Sequence, residues 1–503
     1  MSQINNIYFQ NYRIFEGQQK FDLRPINFLI GPNSSGKSSI FKALLLLKSN
    51  ITNDLQILDF SNTKHNLGSF ENTVNKNCTS KNLTFGFEAT INDGSPYSFN
   101  KISFTSKRSI YNVLIEDSDK EINIKILLTY TQNDISGKLR KIEIYKEKDE
   151  KCFLRLEIGN PEDEFHKLYF NHSLISKNKI LNEIFIRSVI RDKHTLDRSN
   201  TNYNYKTSVN LTVNDNKITK YYDEPILVFS NLYDEFLDNN VNLNFNKEIH
   251  RFLKGMPLRR ILKDFSYLIE NTEYIEAVRA NTKRLYTNDS QGTSFNELIL
   301  EYQSREISQK SIDFTNKWLK MFGIADGVKF DNVEGVANTV YLIKGEEKIA
   351  LADLGYGITQ FLPIIMKISL EETIQDKKRP YNILKKTILL EEPETNLHPK
   401  LQSLLADFIV DAINNFEIRF IIETHSEYII RKLQILTAEK KVSPQNSAIY
   451  YFNNPDTASN DQIIAIDILD NGTLSQDFGD GFFDEASELK FQLLKFKNKT
   501  SSK

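Results

Sequence analysis

At 503 residues the chain has room for two to four folding units and a large apolar core. Hydrophobic residues make up 40% and charged residues 26%, the ordinary balance of a soluble globular protein. A formal net charge of -2 excludes an overall electrostatic drive toward nucleic acid, and two cysteines, Cys78 and Cys152, exclude both a disulfide framework and a cysteine metal cluster.

The N-terminal residues Met1 to Asn6 lack the basic and apolar regions of a signal peptide. No apolar run is long enough for a bilayer, so the expectation is a cytoplasmic protein with no membrane contact. Residues 5–50 then read as strand, strand, glycine-rich loop and helix. Pro25 to Ile30 is a buried apolar strand, and Ser38 to Leu47 has the composition of a helix. The loop between them, Gly31-Pro32-Asn33-Ser34-Ser35-Gly36-Lys37-Ser38, fits G-x-x-x-x-G-K-[ST], the phosphate-cradling P-loop. Glycine lets the backbone approach phosphate without a Cβ clash, and the new helix's N–H groups face the anion. Lys37 is expected on the β/γ-phosphates and the Ser38 hydroxyl on Mg2+. Gly31, Asn33, Ser34, Ser35, Gly36 and Ser39 complete the expected nucleotide-binding set. The bland alternative is a Gly/Ser turn before a helix; the strand and helix on either side argue for a nucleoside triphosphate site instead.

Residues 80–170 alternate with period two, in Leu83 to Thr90, Glu121 to Leu128 and Lys141 to Tyr145, and predict an antiparallel meander. Residues 175–320 read as mainly helical, with Ser311 to Phe322 carrying apolar residues at helical spacing. Short strands return near 327–351. From 356 onward helix and strand alternate, with helices over 356–372, 397–413 and 426–438 and strands over 386–391 and 418–423, the mark of a parallel α/β sheet. The P-loop and these later elements are separated by roughly 300 residues, far more than a loop, so folded units must be inserted.

Two later strands end in chemistry. Thr387 to Leu390 runs into Glu391-Glu392-Pro393-Glu394. A carboxylate at such a strand end holds the Mg2+ water shell and the next orients the attacking water, roles expected of Glu391 and Glu392. The alternative, an acidic turn capping the helix near Pro399, is kept for Glu394. Arg419 to Ile422 runs into Glu423-Thr424-His425-Ser426-Glu427. Ligands of open α/β sheets bind at the carboxyl ends of strands, which points His425 at the γ-phosphate or the attacking water.

Together GPNSSGKSS, LLEEPETNLHP and ETHSE resemble the ABC-type ATPase heads of the RecF, SMC/Rad50 and OLD group. The likeness covers about residues 1–75 and 340–485 and extends to Asn11-Tyr12-Arg13-Ile14-Phe15, similar to the group's "NFRSF" element, which adds Arg13 to the nucleotide-binding set. Leu351 to Gln360 stands in the place of the ABC signature, with Gly355 and Gly357 offering backbone N–H groups to a γ-phosphate. Tyr274 to Arg279 resembles a "GPLR"-like element. Tyr450 to Phe452 with Gly481 to Glu485 resembles a C-terminal domain of unknown function. Both occur in bacterial ATPases of anti-phage modules such as the Septu type.

The resemblance implies an α/β fold: a P-loop ABC-type ATPase head split by a large insertion with an antiparallel β region and a helical region. The implied divisions are 1–80, the head's N-terminal lobe; 81–175, β-rich; 176–325, mainly helical; 326–440, the head's C-terminal lobe; and 441–503, a small α/β extension. It implies ATP and Mg2+ as cofactors, and a homodimer or higher homo-oligomer in which one subunit's P-loop and another's signature sandwich ATP. The chain would then be a sensor or switch whose effector, a nuclease or toxin, is a separate protein. The sequence departs from the group in lacking a Ser-Gly-Gly signature core and in carrying Glu391 where Asp is commonest, so slow or partner-activated hydrolysis is expected. The Q-loop candidate is Leu67 to Glu71.

Asp467 and Asp470 have the wrong spacing for a Toprim nuclease, so no intrinsic nuclease is expected. A basic run, Lys247, His250, Arg251, Lys254, Arg259, Arg260 and Lys263, leaves DNA open as a partner, against a solvated helix face as the bland reading. The alternatives are a RecF/Rad50-like repair ATPase that binds DNA directly, or a scaffold that binds ATP with little turnover. With no membrane-spanning run and no Ser-Gly-Gly signature core in the sequence, a transporter is not expected.

Overall fold

The computed structural model describes residues 3–51, 55–61, 66–92, 121–146, 152, 154–158, 165–170, 183–190, 207–213, 216–222, 265–277, 284–287, 294–305, 307–333, 337–371, 385–453, 462–478 and 489–494. The chain opens with β1 (Gln3–Tyr12), β2 (Phe15–Asp22) and β3 (Ile26–Ile30), followed by α1 (Ser38–Ser49), β4 (Ile57–Leu58) and the short α2 (Phe70–Thr73). Among the described residues eight strands come next: β5 (Asn82–Asn92), β6 (Glu121–Asn133), β7 (Ser136–Lys146), β8 (Leu154–Glu157), β9 (Phe165–Phe170), β10 (Glu183–Ile190), β11 (Thr207–Val213) and β12 (Asn216–Tyr222). After β13 (Thr272–Ile275) and β14 (Tyr286–Thr287) come α3 (Ser294–Ser304), α4 (Gln309–Met321), β15 (Gly327–Val333), β16 (Ala337–Lys344) and β17 (Glu347–Ala350). The last elements are α5 (Tyr356–Ser369), β18 (Lys386–Glu391), α6 (Pro399–Asn415), β19 (Ile418–Glu423), α7 (Glu427–Ala438), β20 (Ser447–Phe452) and β21 (Ile463–Ile466).

These elements divide into two compact units, one of residues 1–22, 42–271 and 379–384, the other of 23–41, 272–378 and 385–503. The first is built on an antiparallel sheet ordered β12-β11-β10-β9-β8-β7-β6-β5-β1-β2, with β4 paired to β7. Period-two patterning produces it. Leu83, Phe85, Phe87 and Ala89 of β5 are buried, and so are their neighbours on β6, with Phe85 opposite Leu128 and Phe87 opposite Ile126. Phe9 of β1 stacks on Phe15 at 5.6 Å and meets Phe85 edge-on at 6.0 Å, extending this apolar face across the β1–β2 hairpin.

One sequence expectation is corrected here. Residues 183–190, 207–213 and 216–222 are strands that prolong the meander, where the sequence reads as the start of a mainly helical region. EIFIRSVI and TSVNLTV are rich in β-branched residues, and pairing with β9 and with each other settles the ambiguity of such short apolar runs. Helices do occupy 294–304 and 309–321. The basic run from Lys247 to Lys263, Arg279, Gly481 to Glu485 and the tail from Lys495 lie outside the described residues.

The second unit holds a sheet ordered β13-β18-β19-β3-β20-β21. Neighbours from β13 to β20 pair in parallel, and β21 closes the edge antiparallel to β20. β3 is thus flanked by strands from the far end of the chain, with Ile26 opposite both Phe420 and Ser447. Every residue of β3, β19 and β20 is buried, as expected of parallel strands covered on both faces. Helices α4, α5, α6 and α7 bury apolar faces in this core. Phe314 of α4 meets Phe416 edge-on at 4.9 Å, and the Trp318 indole N–H donates to Asp411 at 2.7 Å, so the large aromatic side chain enters the core with its polar atom satisfied. A small sheet of β14 to β17 completes the unit. Among the described residues no helix is long and apolar enough to cross a membrane.

Candidate nucleotide site

The loop after β3 has backbone geometry that its residues explain. Gly31 has φ +146°, and a Cβ there would lie 2.3 Å from the Phe452 carbonyl oxygen, so only glycine fits between β3 and β20. Ser34 and Gly36 also have positive φ, 64° and 95°, which turns the loop back on itself ahead of α1. Lys37 is 3% exposed, and its ammonium donates to the carbonyls of Gly31 at 2.9 Å and Pro32 at 2.7 Å. Burial lowers its pKa, and the carboxylates of Glu423 and Glu392 oppose that shift.

The second unit brings the two strand-end motifs to this loop. Glu391 and Glu423 are the last residues of β18 and β19 and stand opposite each other in parallel register. The Glu392 N–H donates to the Glu423 carbonyl at 2.8 Å, and Glu392 adopts φ 40°, a left-handed conformation uncommon outside glycine. The Glu392 carboxylate accepts from Thr395 at 3.2 Å. The Ser38 hydroxyl donates to Glu423 Oε1 at 3.1 Å. His425 is exposed just beyond β19; desolvation by its surroundings and the nearby Lys37 charge lower its pKa, with Glu392 acting the other way. Glu394 accepts the His425 backbone N–H at 2.7 Å. The helix that begins at Pro399 is capped by His398, whose Nδ1 accepts the Lys400 N–H at 3.4 Å.

Lys37, Ser38, Glu391, Glu392 and His425, expected from the sequence, therefore meet at one edge of one sheet. Gly31, Asn33, Ser34, Ser35, Gly36 and Ser39 belong to the same loop and the start of α1; the Ser35 hydroxyl is buried with no hydrogen-bond partner. Arg13 belongs to the other unit, in the β1–β2 turn with φ 50°, where its N–H donates to Thr73. The Q-loop candidate leads into α2 in that unit, capped by the Ser69 side chain. Gly355 is the exposed N-cap of α5 and Gly357 lies in that helix's first turn. Asp467 pairs with Arg24 at 2.8 Å.

Two residues join the site that the sequence motifs do not mark. Glu423 carries no role in the sequence reading, which points to His425 two residues on, although an acid ending the apolar run Phe420-Ile421-Ile422 repeats the Leu389-Leu390-Glu391 pattern. Tyr274 of β13 donates its hydroxyl to Glu391 Oε2 and meets Phe41 edge-on at 6.1 Å, and burial first, then that carboxylate, raises its pKa. No short-range signal marks it, because the contact depends on β13 pairing with β18.

A family model described as AAA ATPase domain matches residues 3–430. The chain belongs to this AAA ATPase family. ATP binding and hydrolysis are the activity of such a domain, and the mixed α/β P-loop fold agrees with it. A second model, a protein of unknown function (DUF3696), matches residues 442–493 of this AAA ATPase. No curated protein matches it. Among solved structures it is similar to the SMC head domain from Thermotoga maritima, at 9% identity over 93% of this chain and 99% of that one, with a TM-score of 0.35. It is also similar to an SmcHead bound to the C-winged helix domain of ScpA, at 12% identity over 93% and 98%, with a TM-score of 0.36. A third is the Smc head domain with an extended coiled coil bound to the C-terminal domain of ScpA, derived from Pyrococcus furiosus, at 11% identity over 93% and 97% and a TM-score of 0.36.

The donor set at the loop also fits a magnesium ion. Hard oxygen ligands are needed, usually few from protein and the rest from phosphate and water. Ser38 and Glu423 supply them side by side, and Glu423 Oε2 is buried without a hydrogen-bond partner.

Proposed function

We propose that this chain is a Mg2+-dependent ATPase whose ATP site is completed by a second copy, serving as the sensor or switch subunit of a bacterial anti-phage complex. Its effector, a nuclease or another toxic protein, is a separate chain. The observation that carries the ATPase reading is the meeting of Lys37 and Ser38 with Glu391, Glu392, Glu423 and His425 at the carboxyl ends of β3, β18 and β19. The site adds little covalent chemistry; positioning and charge do most of what phosphoryl transfer requires.

In this reading the loop N–H groups and the N-terminus of α1 hold the triphosphate, and Lys37 offsets charge on its β- and γ-oxygens. Ser38 with an acid at the end of β18 or β19 would hold Mg2+, which would neutralise phosphate charge when bound. Glu392 orients the attacking water and accepts its proton. His425, beside both Glu392 and Lys37, contacts the γ-phosphate or that water. The N-terminus of α5, which has no side-chain cap at Gly355, offers its first N–H groups to the γ-phosphate of a partner's ATP.

Steady-state ATP hydrolysis, wild type beside Glu392→Gln, across protein concentrations, tests this. Specific activity that rises with concentration and vanishes in the variant is the expected outcome. Specific activity independent of concentration would overturn the shared site, and bound ATP with no hydrolysis in either protein would leave a scaffold.

A further inference from the structure

The acid expected to hold the magnesium ion from sequence is Glu391. Its carboxylate is engaged elsewhere: Oε2 accepts the hydroxyl of Tyr274 on the neighbouring strand, and Tyr274 is itself braced by Phe41. The carboxylate that touches the P-loop serine belongs to β19. Glu423 Oε1 accepts from Ser38 Oγ at 3.1 Å. Two ligands of an octahedral magnesium at right angles lie about 3 Å apart, given metal–oxygen distances of about 2.1 Å. The Ser38–Glu423 spacing already matches that separation.

Three further facts fit the same role. Glu423 is only 6% exposed, and its Oε2 is buried with no hydrogen-bond partner, a cost that a buried carboxylate carries only for a reason. Its position is fixed by the sheet, since β19 pairs with β3 on one side and β18 on the other. Its backbone carbonyl accepts the Glu392 N–H at 2.8 Å, so the strand that carries it also sets the Glu392 turn.

We propose that Glu423, with Ser38, is the direct protein ligand of the nucleotide-bound divalent cation, and that Glu391 is a positioning residue held by Tyr274 one step further out. The metal-binding acid is thereby moved from β18 to the adjacent β19. This rests on the Mg2+-ATP reading above and refines which side chain holds the metal.

The test uses Mn2+ as the probe, followed by electron paramagnetic resonance on the full chain with ATP, together with fluorescent-nucleotide titration with and without metal. Wild type, Glu423→Gln, Glu391→Gln and Tyr274→Phe are compared, and Glu423→Asp serves as the conservative variant. Glu423→Gln is expected to weaken Mn2+ binding at least tenfold, since loss of an outer partner alone costs about ten- to a hundredfold in metal affinity or activity. Nucleotide binding without metal should persist in it, which shows that the loop is intact. Glu423→Asp should recover part of the loss, and Glu391→Gln and Tyr274→Phe should weaken Mn2+ binding clearly less than Glu423→Gln does, their main effect being slower turnover. Glu391→Gln weakening Mn2+ as much as or more than Glu423→Gln overturns the proposal and leaves the ATPase reading standing. Wild type that binds no nucleotide overturns the ATPase reading itself.

Discussion

Glu394 and His425 lie 31 residues apart in the chain and are joined by a 2.7 Å hydrogen bond, in which the Glu394 carboxylate accepts the His425 backbone N–H. That bond ties the loop after β18 to the loop after β19 directly behind the reacting edge. Burial raises the Glu394 pKa, and the His425 N–H opposes the shift. Glu394→Ala leaves this N–H without its acceptor and is expected to cost about 1–3 kcal/mol. Turnover should fall with it because His425 and Glu392 lose their shared frame. Glu394→Gln keeps an acceptor oxygen and should retain most of both. Urea unfolding and steady-state turnover of the two variants check this.

Lys37 makes its two hydrogen bonds to carbonyls of its own loop, which hold the ammonium over the place where phosphate is expected. Lys37→Ala removes the charge but leaves the glycine geometry. Hydrogen bonds to charged groups are worth about 1.5–3 kcal/mol, so ATP affinity should fall about ten- to a hundredfold. Fluorescent-nucleotide titration reads this directly. A variant that binds ATP as well as wild type would remove Lys37 from the site.

Gly31 gives a sharper structural test. A Cβ at this position meets a backbone oxygen, Phe452 O, at 2.3 Å, and φ is +146°. Neither problem is relieved by a side-chain rotation. Gly31→Ala should destabilise the second unit by about 3 kcal/mol, beyond the usual glycine-to-alanine penalty. It should also disturb the β3–β20 pairing. Differential scanning calorimetry, with amide exchange of β20, separates this from a loss confined to nucleotide binding.

Much of the second unit was legible because its strands are continuous apolar runs that end in motifs. Phe28-Leu29-Ile30 before Gly31, Leu389-Leu390 before Glu391 and Ile421-Ile422 before Glu423 each announce a buried parallel strand and its chemical end. The order in which those strands lie was not legible. Glu423 reaches Ser38 because β19 is the neighbour of β3, and Tyr274 reaches Glu391 because a four-residue strand from the inserted region joins the sheet beside β18. The three strands between 183 and 222 escaped for a different reason. Their apolar runs are short, and only pairing with neighbours decides between helix and strand.

The amino ends of β13 and β18 carry an ion network away from the strand ends that hold the site. Lys386 pairs with Glu371 at 2.7 Å and with Glu273 at 3.7 Å, and Lys367 of α5 pairs with Glu273 at 3.2 Å and Glu301 at 3.0 Å. Burial raises the Glu371 pKa, and the Lys386 charge opposes it. Lys386→Met removes the hydrogen-bonded partner of the Glu371 carboxylate and leaves it only the Lys367 charge, and breaking a buried pair in this way costs up to about 3–5 kcal/mol near neutral pH. The sign of the pH dependence follows. An acid with a raised folded-state pKa binds more protons folded than unfolded, so its ionised form is the destabilising one. The deficit of Lys386→Met relative to wild type should therefore shrink as pH falls through the raised Glu371 pKa and grow above it. Denaturant unfolding at several pH values between about 5 and 8 measures it, within the range where native stability is usually greatest. Lys386→Met combined with Glu371→Gln should recover most of the loss and flatten its pH dependence; a deficit that ignores pH, or survives in the double variant, would place the effect in packing of the Lys386 stem instead.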